Sequence, residues 1–180
     1  QPEWSALALI AGPDFVRKAH DAFIAAGADV ITTNSTAMVP FHLSAASLSR
    51  DGRTLADRAG RIAREAADAA SRKVKVAGSL PPLFGSYRPD LFRAKDAASI
   101  ASVLIEGLKP HVDFWLAETQ GSIAEAAALH DALAGDKRPL WVSFTLEDGE
   151  GAAEKPRLRS QEPVAEAVRA ALDWKAEALL

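Results

Sequence analysis

The sequence predicts an α/β fold built around a parallel sheet. Four short apolar runs each end in small polar or acidic residues, at positions 30–34, 74–79, 112–119 and 140–145. A helical pattern follows each run, and the run starts are 44, 38 and 28 residues apart. Near-continuous apolar strands are typical of parallel sheets, whose strands are buried on both faces. Strict alternation of strand and helix therefore indicates a parallel sheet with right-handed crossovers.

The amino-terminal half contains two clear helices and one strand. The first helix begins at Pro13 and ends at Gly27, because proline suits the first turn of a helix and glycine its end. A strand over 29–34 follows almost at once. We expect an irregular stretch at 35–52, with a short helix around 42–48, and then a long helix over about 54–71.

The carboxyl-terminal half repeats the alternation. Strand 74–79 leads into a loop rich in proline and glycine at 80–90. A helix over 94–108 is ended by Pro110. The remaining predictions, in chain order, are strand 112–119, helix 123–134 closed by Gly135, strand 139–145, a polar loop to 161, helix 163–174, and the start of one more strand at 178–180.

Two architectures fit this alternation, an open doubly wound sheet and a (β/α)8 barrel. No glycine-rich fingerprint or P-loop follows any strand, because residues 77–80 read Ala-Gly-Ser-Leu. The lack of these motifs argues against a nucleotide-binding function and favours the barrel. A whole barrel takes about 250 residues. We therefore expect residues 1–180 to form a single partial barrel domain, with the first strand and the carboxyl-terminal strands lying outside this segment.

Composition excludes several partners and sites. Hydrophobic residues make up 48% of the chain, charged residues 25%, and the net charge is −3, which predicts an ordinary globular protein without a nucleic-acid partner. No apolar run approaches the roughly 18 residues of a membrane span, and no signal-peptide pattern is visible, so a cytoplasmic protein is expected. With no cysteine and no histidine pair at ligand spacing, these residues predict no metal site. The oligomeric state stays open.

Glu118 is the strongest candidate for a functional residue. It closes an apolar strand, so its carboxylate is expected at the carboxyl edge of the sheet, where α/β folds bind their ligands. A carboxylate among apolar neighbours needs a cation or hydrogen-bond donors, and a substrate ammonium group would satisfy it. The alternative is a structural role, as a cap of the next helix through Ser122 or as the partner of an arginine.

Other polar residues follow the neighbouring strands. Thr33 and Asn34 stand among donors and acceptors at the end of the first strand, and Ser79 ends the next. They are candidate contacts to an amino or carboxylate group, although strand propensity and turn formation explain them as well. Among the histidines, only His42 is expected near such a site.

The assembled segments resemble the homocysteine S-methyltransferase family. The matching segments, in order, are Trp4-Ser5-Ala6, 26–35 (AGADVITTNS), 76–82 (VAGSLPP), 86–90 (SYRPD), 112–119 (VDFWLAET) and 140–144 (LWVSF). The resemblance implies a (β/α)8 barrel, with this chain running from its first helix to the start of its sixth strand. It also implies transfer of a methyl group from a donor to the homocysteine thiol, giving methionine.

The resemblance assigns roles to individual residues. Glu118 resembles the family glutamate that holds the homocysteine amino group, and Thr33 a threonine that contacts the amino-acid part, while Asn34 and Ser79 lie where pocket walls are expected. The family binds zinc through three cysteine thiolates, which this chain lacks, so zinc is expected only in a complete enzyme. The opening strand with its Asp-Gly-Gly motif is absent too. Thr36 and Ala37 stand where many members carry an aromatic residue.

Two other functions stay open at this point. The alternation alone also fits a different barrel enzyme, acting on a small phosphorylated or amino-acid substrate. The absence of cysteine fits a non-catalytic homologue that keeps the amino-acid pocket without the metal.

Overall fold

Five parallel strands form one sheet in the computed structural model, which describes residues 3–149, 152 and 154–180. The strands are β1 (Val30–Thr32), β2 (Lys75–Leu80), β3 (Phe114–Gln120), β4 (Leu140–Phe144) and β5 (Ala178–Leu179). Each strand pairs in parallel with the next strand of the chain. The predicted strands are therefore confirmed, including the last one.

Helices precede and connect the strands, and those from α1 to α5 pack beside one another in chain order. They are α1 (Ala6–Ala11), α2 (Pro13–Ala25), α3 (Ala45–Asp68), α4 (Ala94–Leu108), α5 (Ile123–Ala132) and α6 (Val164–Asp173), with a 3-10 turn at Pro89–Leu91. None of the helices within the described ranges is long and apolar enough to cross a membrane.

The strand order decides between the two predicted architectures. A doubly wound sheet reverses its strand order at a switch point, where its ligand binds. Here the order is β1-β2-β3-β4-β5 without a reversal, and successive helices from α1 to α5 contact each other. The sheet is therefore wound in one direction, as the wall of a barrel is, and the doubly wound alternative is wrong.

The sheet has two different faces. Val76 and Trp115 point toward the helices and belong to the main hydrophobic core. Phe114 and Leu116 point to the opposite, inner face, where they form a second cluster with Trp141 packed against it. The Phe114 and Trp141 ring centroids lie 4.3 Å apart. Because side chains alternate along a strand, the positions of these residues indicate on which face of the sheet the remaining residues of β3 lie.

Small residues let the helices approach closely. At Gly107 of α4, an added Cβ would lie 2.5 Å from the Ala56 Cβ and 2.6 Å from the Arg53 carbonyl oxygen of α3. These distances are shorter than van der Waals contact. The α3–α4 interface therefore requires glycine at this position.

The region after β1 differs from the prediction. The expected short helix at 42–48 and the separate helix from 54 form one helix, α3, which begins at Ala45 and continues through Gly52. Ser44 caps it by accepting a hydrogen bond from the Ser47 N–H at 3.1 Å. Gly52 does not interrupt the helix, because it packs against α4: an added Cβ would meet the Val103 Cγ1 at 2.7 Å. Helix α1 is an addition to the predicted elements.

Candidate functional site

The inner face of the sheet becomes polar at its carboxyl edge, and Glu118 lies there. Alternation along β3 puts Glu118 on the same face as Phe114 and Leu116. Its half-buried carboxylate accepts two hydrogen bonds at Oε1, from the Ser79 hydroxyl and from the Thr36 hydroxyl, the latter at 2.5 Å. In the described part of the chain, no hydrogen bond reaches Oε2. One carboxylate oxygen is thus held by the protein, and the other remains available as an acceptor.

The structural roles considered for Glu118 belong to other residues. The amino-terminus of α5 is capped by Ser122, whose hydroxyl oxygen accepts from the Glu125 N–H at 3.1 Å. Glu125 in turn accepts from the Gly121 N–H at 2.8 Å. Glu118 takes no part in this cap, and no arginine within the described ranges pairs with it. Its two partners are both neutral hydroxyl groups.

Buried hydroxyl groups connect the ends of β1 and β2 to Glu118. The Ser79 N–H donates to the Thr33 Oγ1 at 3.0 Å, and the Ser35 hydroxyl donates to the Ser79 carbonyl at 2.7 Å. The Thr33 and Ser35 hydroxyl oxygens lie 2.9 Å apart and share a hydrogen bond. Thr33, Ser35 and Ser79 are all nearly inaccessible to solvent. We call these three residues with Glu118 and Thr36 the carboxylate network.

The predicted site residues are brought together only in part. Thr33, Ser79 and Glu118 belong to one hydrogen-bonded network, as their common strand-end position predicts. The Thr33 hydroxyl already contacts Ser79 and Ser35, so its visible role is to join strand ends. Asn34 lies apart from the network, because its amide donates to the Ser5 carbonyl at 3.2 Å and holds the start of α1.

The contribution of Gln120 was not predicted from the sequence. Strand pairing between β3 and β4 is irregular between Ala117 and Gln120, and Thr119 has a φ of 61°. A positive φ is unfavourable for a β-branched residue and is often found at functional sites. The buried Gln120 amide donates to the Glu118 carbonyl at 2.7 Å and so supports this distortion. A glutamine ending an apolar strand is the signal that could have indicated it.

Backbone strain recurs around a cleft beside Glu118. Trp4 and Tyr87 have φ values of 44° and 64°, and both line this cleft together with Thr119. The cleft has a volume of about 480 Å³, and we call it the aromatic cleft; its lining residues are Trp4, Thr36, Phe41, His42, Ser86, Tyr87 and Thr119. His42, the one histidine expected near a site, is among them.

Aromatic rings dominate the aromatic cleft and remain open to solvent. Trp4, Phe41 and Tyr87 are each more than half exposed. His42 stacks on the Trp4 ring at 5.5 Å and meets the Phe41 ring edge-on at 5.0 Å. Exposed aromatic faces beside a carboxylate suit a ligand that has a positively charged group and an apolar part.

The zinc that the resemblance implies does not fit the residues present. Within the described ranges, no three histidine, cysteine, aspartate or glutamate side chains converge on one point. The sequence contains no cysteine. No residue in the described ranges is therefore assigned as a ligand of a metal ion.

A parallel sheet wound in one direction, with helices on its outside and polar side chains at its carboxyl edge, is the arrangement of part of a (β/α)8 barrel. The family model described as Homocysteine S-methyltransferase matches residues 1–180. The chain belongs to this family, as the sequence motifs predict.

Curated and structural relatives agree with this assignment. Homocysteine S-methyltransferase 1 of Brassica oleracea var. italica is 30% identical over 178 residues, covering 84% of this chain and 54% of the relative. Homocysteine S-methyltransferase of Escherichia coli K12 is 28% identical over 177 residues, covering 87% and 56%. The metallated form of the Escherichia coli homocysteine methyltransferase MmuM superposes with a TM-score of 0.82 at 26% identity, covering 99% of this chain and 66% of that chain.

The match to MmuM confirms the predicted barrel fold for the part of MmuM that this chain covers. The chain spans a little over half the length of the curated relatives it matches.

Proposed function

We propose that this chain forms the amino-acid-binding part of a homocysteine S-methyltransferase, which transfers a methyl group to the homocysteine thiol and gives methionine. The observation that carries the proposal is the state of Glu118. Its Oε1 is occupied by two hydroxyl donors, and its Oε2 is available at the inner carboxyl edge of the sheet. A positively charged donor such as an ammonium group binds such an anionic oxygen more strongly than a neutral donor does.

The carboxylate network would hold the amino acid by its α-amino group. Oriented in this way, the homocysteine side chain extends from Glu118 across the inner face of the sheet. The aromatic cleft adjoins the same carboxylate through Thr36 and Thr119, and we propose that it receives the methyl donor. The two substrates then meet at one edge of the sheet, as a direct transfer requires.

The reaction needs a nucleophilic sulfur and a methyl group with a good leaving group. Free thiols have a pKa near 8.5, so only a few per cent is thiolate at neutral pH. The sulfur forms a bond to the methyl carbon, while the bond from that carbon to the donor breaks and its electron pair stays with the donor. The thiol proton is released. This chain binds and orients the reactants, and we propose that the zinc implied by the family is held by residues other than these 180.

A second candidate is a homologue that binds the amino acid without catalysis. It is favoured by one observation, a built carboxylate network in a chain without cysteine. The different barrel enzyme considered from the sequence would need a lysine at the carboxyl edge of the sheet if it formed a Schiff base with its substrate. It has no such support, because Lys75 begins β2 and so lies at the opposite end of the sheet from Glu118.

One experiment separates these functions. The full-length protein is incubated with L-homocysteine and, in turn, S-adenosylmethionine, S-methylmethionine or betaine. Homocysteine binding, methionine and bound metal are then quantified. We expect methionine with one of these donors and a bound metal ion, zinc on our proposal. Binding of homocysteine without turnover or metal would favour the non-catalytic homologue, and absence of homocysteine binding would refute both functions.

A further inference from the structure

Thr36 contacts Glu118 although the two residues are 82 positions apart in the chain. We propose that Thr36 is a positioning residue, which fixes the Glu118 carboxylate so that one chosen oxygen meets the substrate amino group. The inference rests on the proposed function and adds to it a residue that determines specificity for an α-amino acid.

Both hydroxyl donors hold the same oxygen of the Glu118 carboxylate. A carboxylate has two equivalent oxygens on a side chain with several rotatable bonds, so nothing in the residue itself selects one of them. Here both hydroxyl donors, Thr36 and Ser79, reach Oε1. Two donors from different directions fix the plane of the carboxylate as well as its position. Oε2 is thereby oriented before any ligand arrives, which reduces the entropy lost on binding.

The fold supports the two donors, Ser79 and Thr36, in different ways. Ser79 is buried in β2, and its backbone is held on both sides, by Thr33 at the N–H and by Ser35 at the carbonyl. Thr36 is only half-buried and lies in the connection between β1 and α3. Ser79 therefore supplies a fixed hydrogen bond to the Glu118 carboxylate. The second contact, which stops the carboxylate from rotating about this hydrogen bond, comes from Thr36.

Thr36 lies between the aromatic cleft and Glu118. Thr36 lines the aromatic cleft and also donates to Glu118. A ligand in the cleft therefore lies beside the residue that orients the carboxylate. The Thr36 hydroxyl therefore connects the cleft lining to the carboxylate that is proposed to bind the amino group.

The test compares two ligands in the full-length protein. Isothermal titration measures the binding of L-homocysteine and of 4-mercaptobutanoate, which keeps the thiol and the carboxylate but lacks the amino group. Thr36→Val preserves the side-chain shape and removes the donor, and Thr36→Ser keeps the donor. We expect Thr36→Val to weaken L-homocysteine binding about 10-fold, which corresponds to about 1.4 kcal/mol. Binding of 4-mercaptobutanoate should change less than twofold, and Thr36→Ser should restore homocysteine binding to within about threefold.

The two ligands distinguish positioning from a general structural effect. Equal weakening of both ligands in Thr36→Val, or unchanged homocysteine binding, would overturn the inference while leaving the proposed function intact. If wild-type protein bound neither ligand, the proposed function would fail and the inference with it. Should Thr36→Val fold poorly, Thr36→Ala supplies the same comparison with the donor removed.

Discussion

Replacing Glu118 by glutamine changes one atom of the side chain and tests the role proposed for it. The amide oxygen of glutamine can still accept from the Thr36 and Ser79 hydroxyl groups, as Oε1 does now. The amide NH₂ group then occupies the position of Oε2. Because NH₂ is a donor, it cannot accept a hydrogen bond from a substrate ammonium group. The variant therefore keeps both hydroxyl contacts as neutral hydrogen bonds, and loses the negative charge and the proposed substrate contact.

The expected size of the effect follows from that single lost contact. A hydrogen bond to a charged group contributes about 1.5–3 kcal/mol, which corresponds to a change in dissociation constant of about 10- to 150-fold. We expect L-homocysteine to bind Glu118→Gln more weakly by this factor. The free energy of unfolding should change by less than about 1 kcal/mol, because the hydroxyl contacts remain.

Isothermal titration of the full-length protein measures the dissociation constant, and thermal unfolding measures stability. Glu147→Gln is the matched control. Glu147 lies in the loop after β4, where its carboxylate accepts from the Gln161 amide at 2.9 Å, outside the carboxylate network. The control should change homocysteine binding by less than twofold. Equal dissociation constants for the two variants would remove Glu118 from the binding site and refute the argument made from its free oxygen.

Three further predictions concern stability and can be read from unfolding curves. Gly107→Ala should destabilise the protein by about 1–3 kcal/mol, because its Cβ would overlap Ala56, and an unchanged melting temperature would contradict the close α3–α4 packing. Arg138 binds the Asp136 carboxylate and holds its pKa well below the usual range. Asp136→Asn should therefore cost about 1–3 kcal/mol at pH 7, and the difference from wild type should shrink as the pH falls below about 4, where the unfolded carboxylate takes up its proton; a constant difference would contradict this. Burial raises the pKa of the Glu125 carboxyl, so the folded state binds more protons than the unfolded state above about pH 4. Wild-type stability should then fall relative to Glu125→Gln between pH 4 and 7, whereas parallel profiles would show that burial has no such effect.

Local patterns explain which parts of the fold were predictable. Apolar runs and helix-ending residues such as Gly27 and Gly135 identified the strands and most helix ends, because these signals lie within a few residues of the element they define. Both glycines have a positive φ in the structure. The break predicted within α3 was wrong, since Gly52 is unfavourable in an isolated helix but packs against Val103 of α4.

The candidate site was predictable to the level of strand ends. Parallel strands end at one edge of a sheet, so Glu118, Ser79 and Thr33 could be placed together before any coordinates were known. Asn34 shares that edge in sequence, yet its amide points to Ser5, a partner that only the folded chain brings near. The substrate contacts proposed for these residues stay predictions.

The sequence by itself determined an α/β chain of parallel strands, its family, and an acidic residue at the end of its third strand. Tertiary structure alone decided the strained backbone at Thr119 and the donation from Thr36 to one oxygen of Glu118. The physical reason is the distance along the chain over which each interaction acts. Periodicity and caps act over a few residues, whereas a hydrogen bond across 82 positions depends on strand register and loop path, which the packing of the whole chain sets.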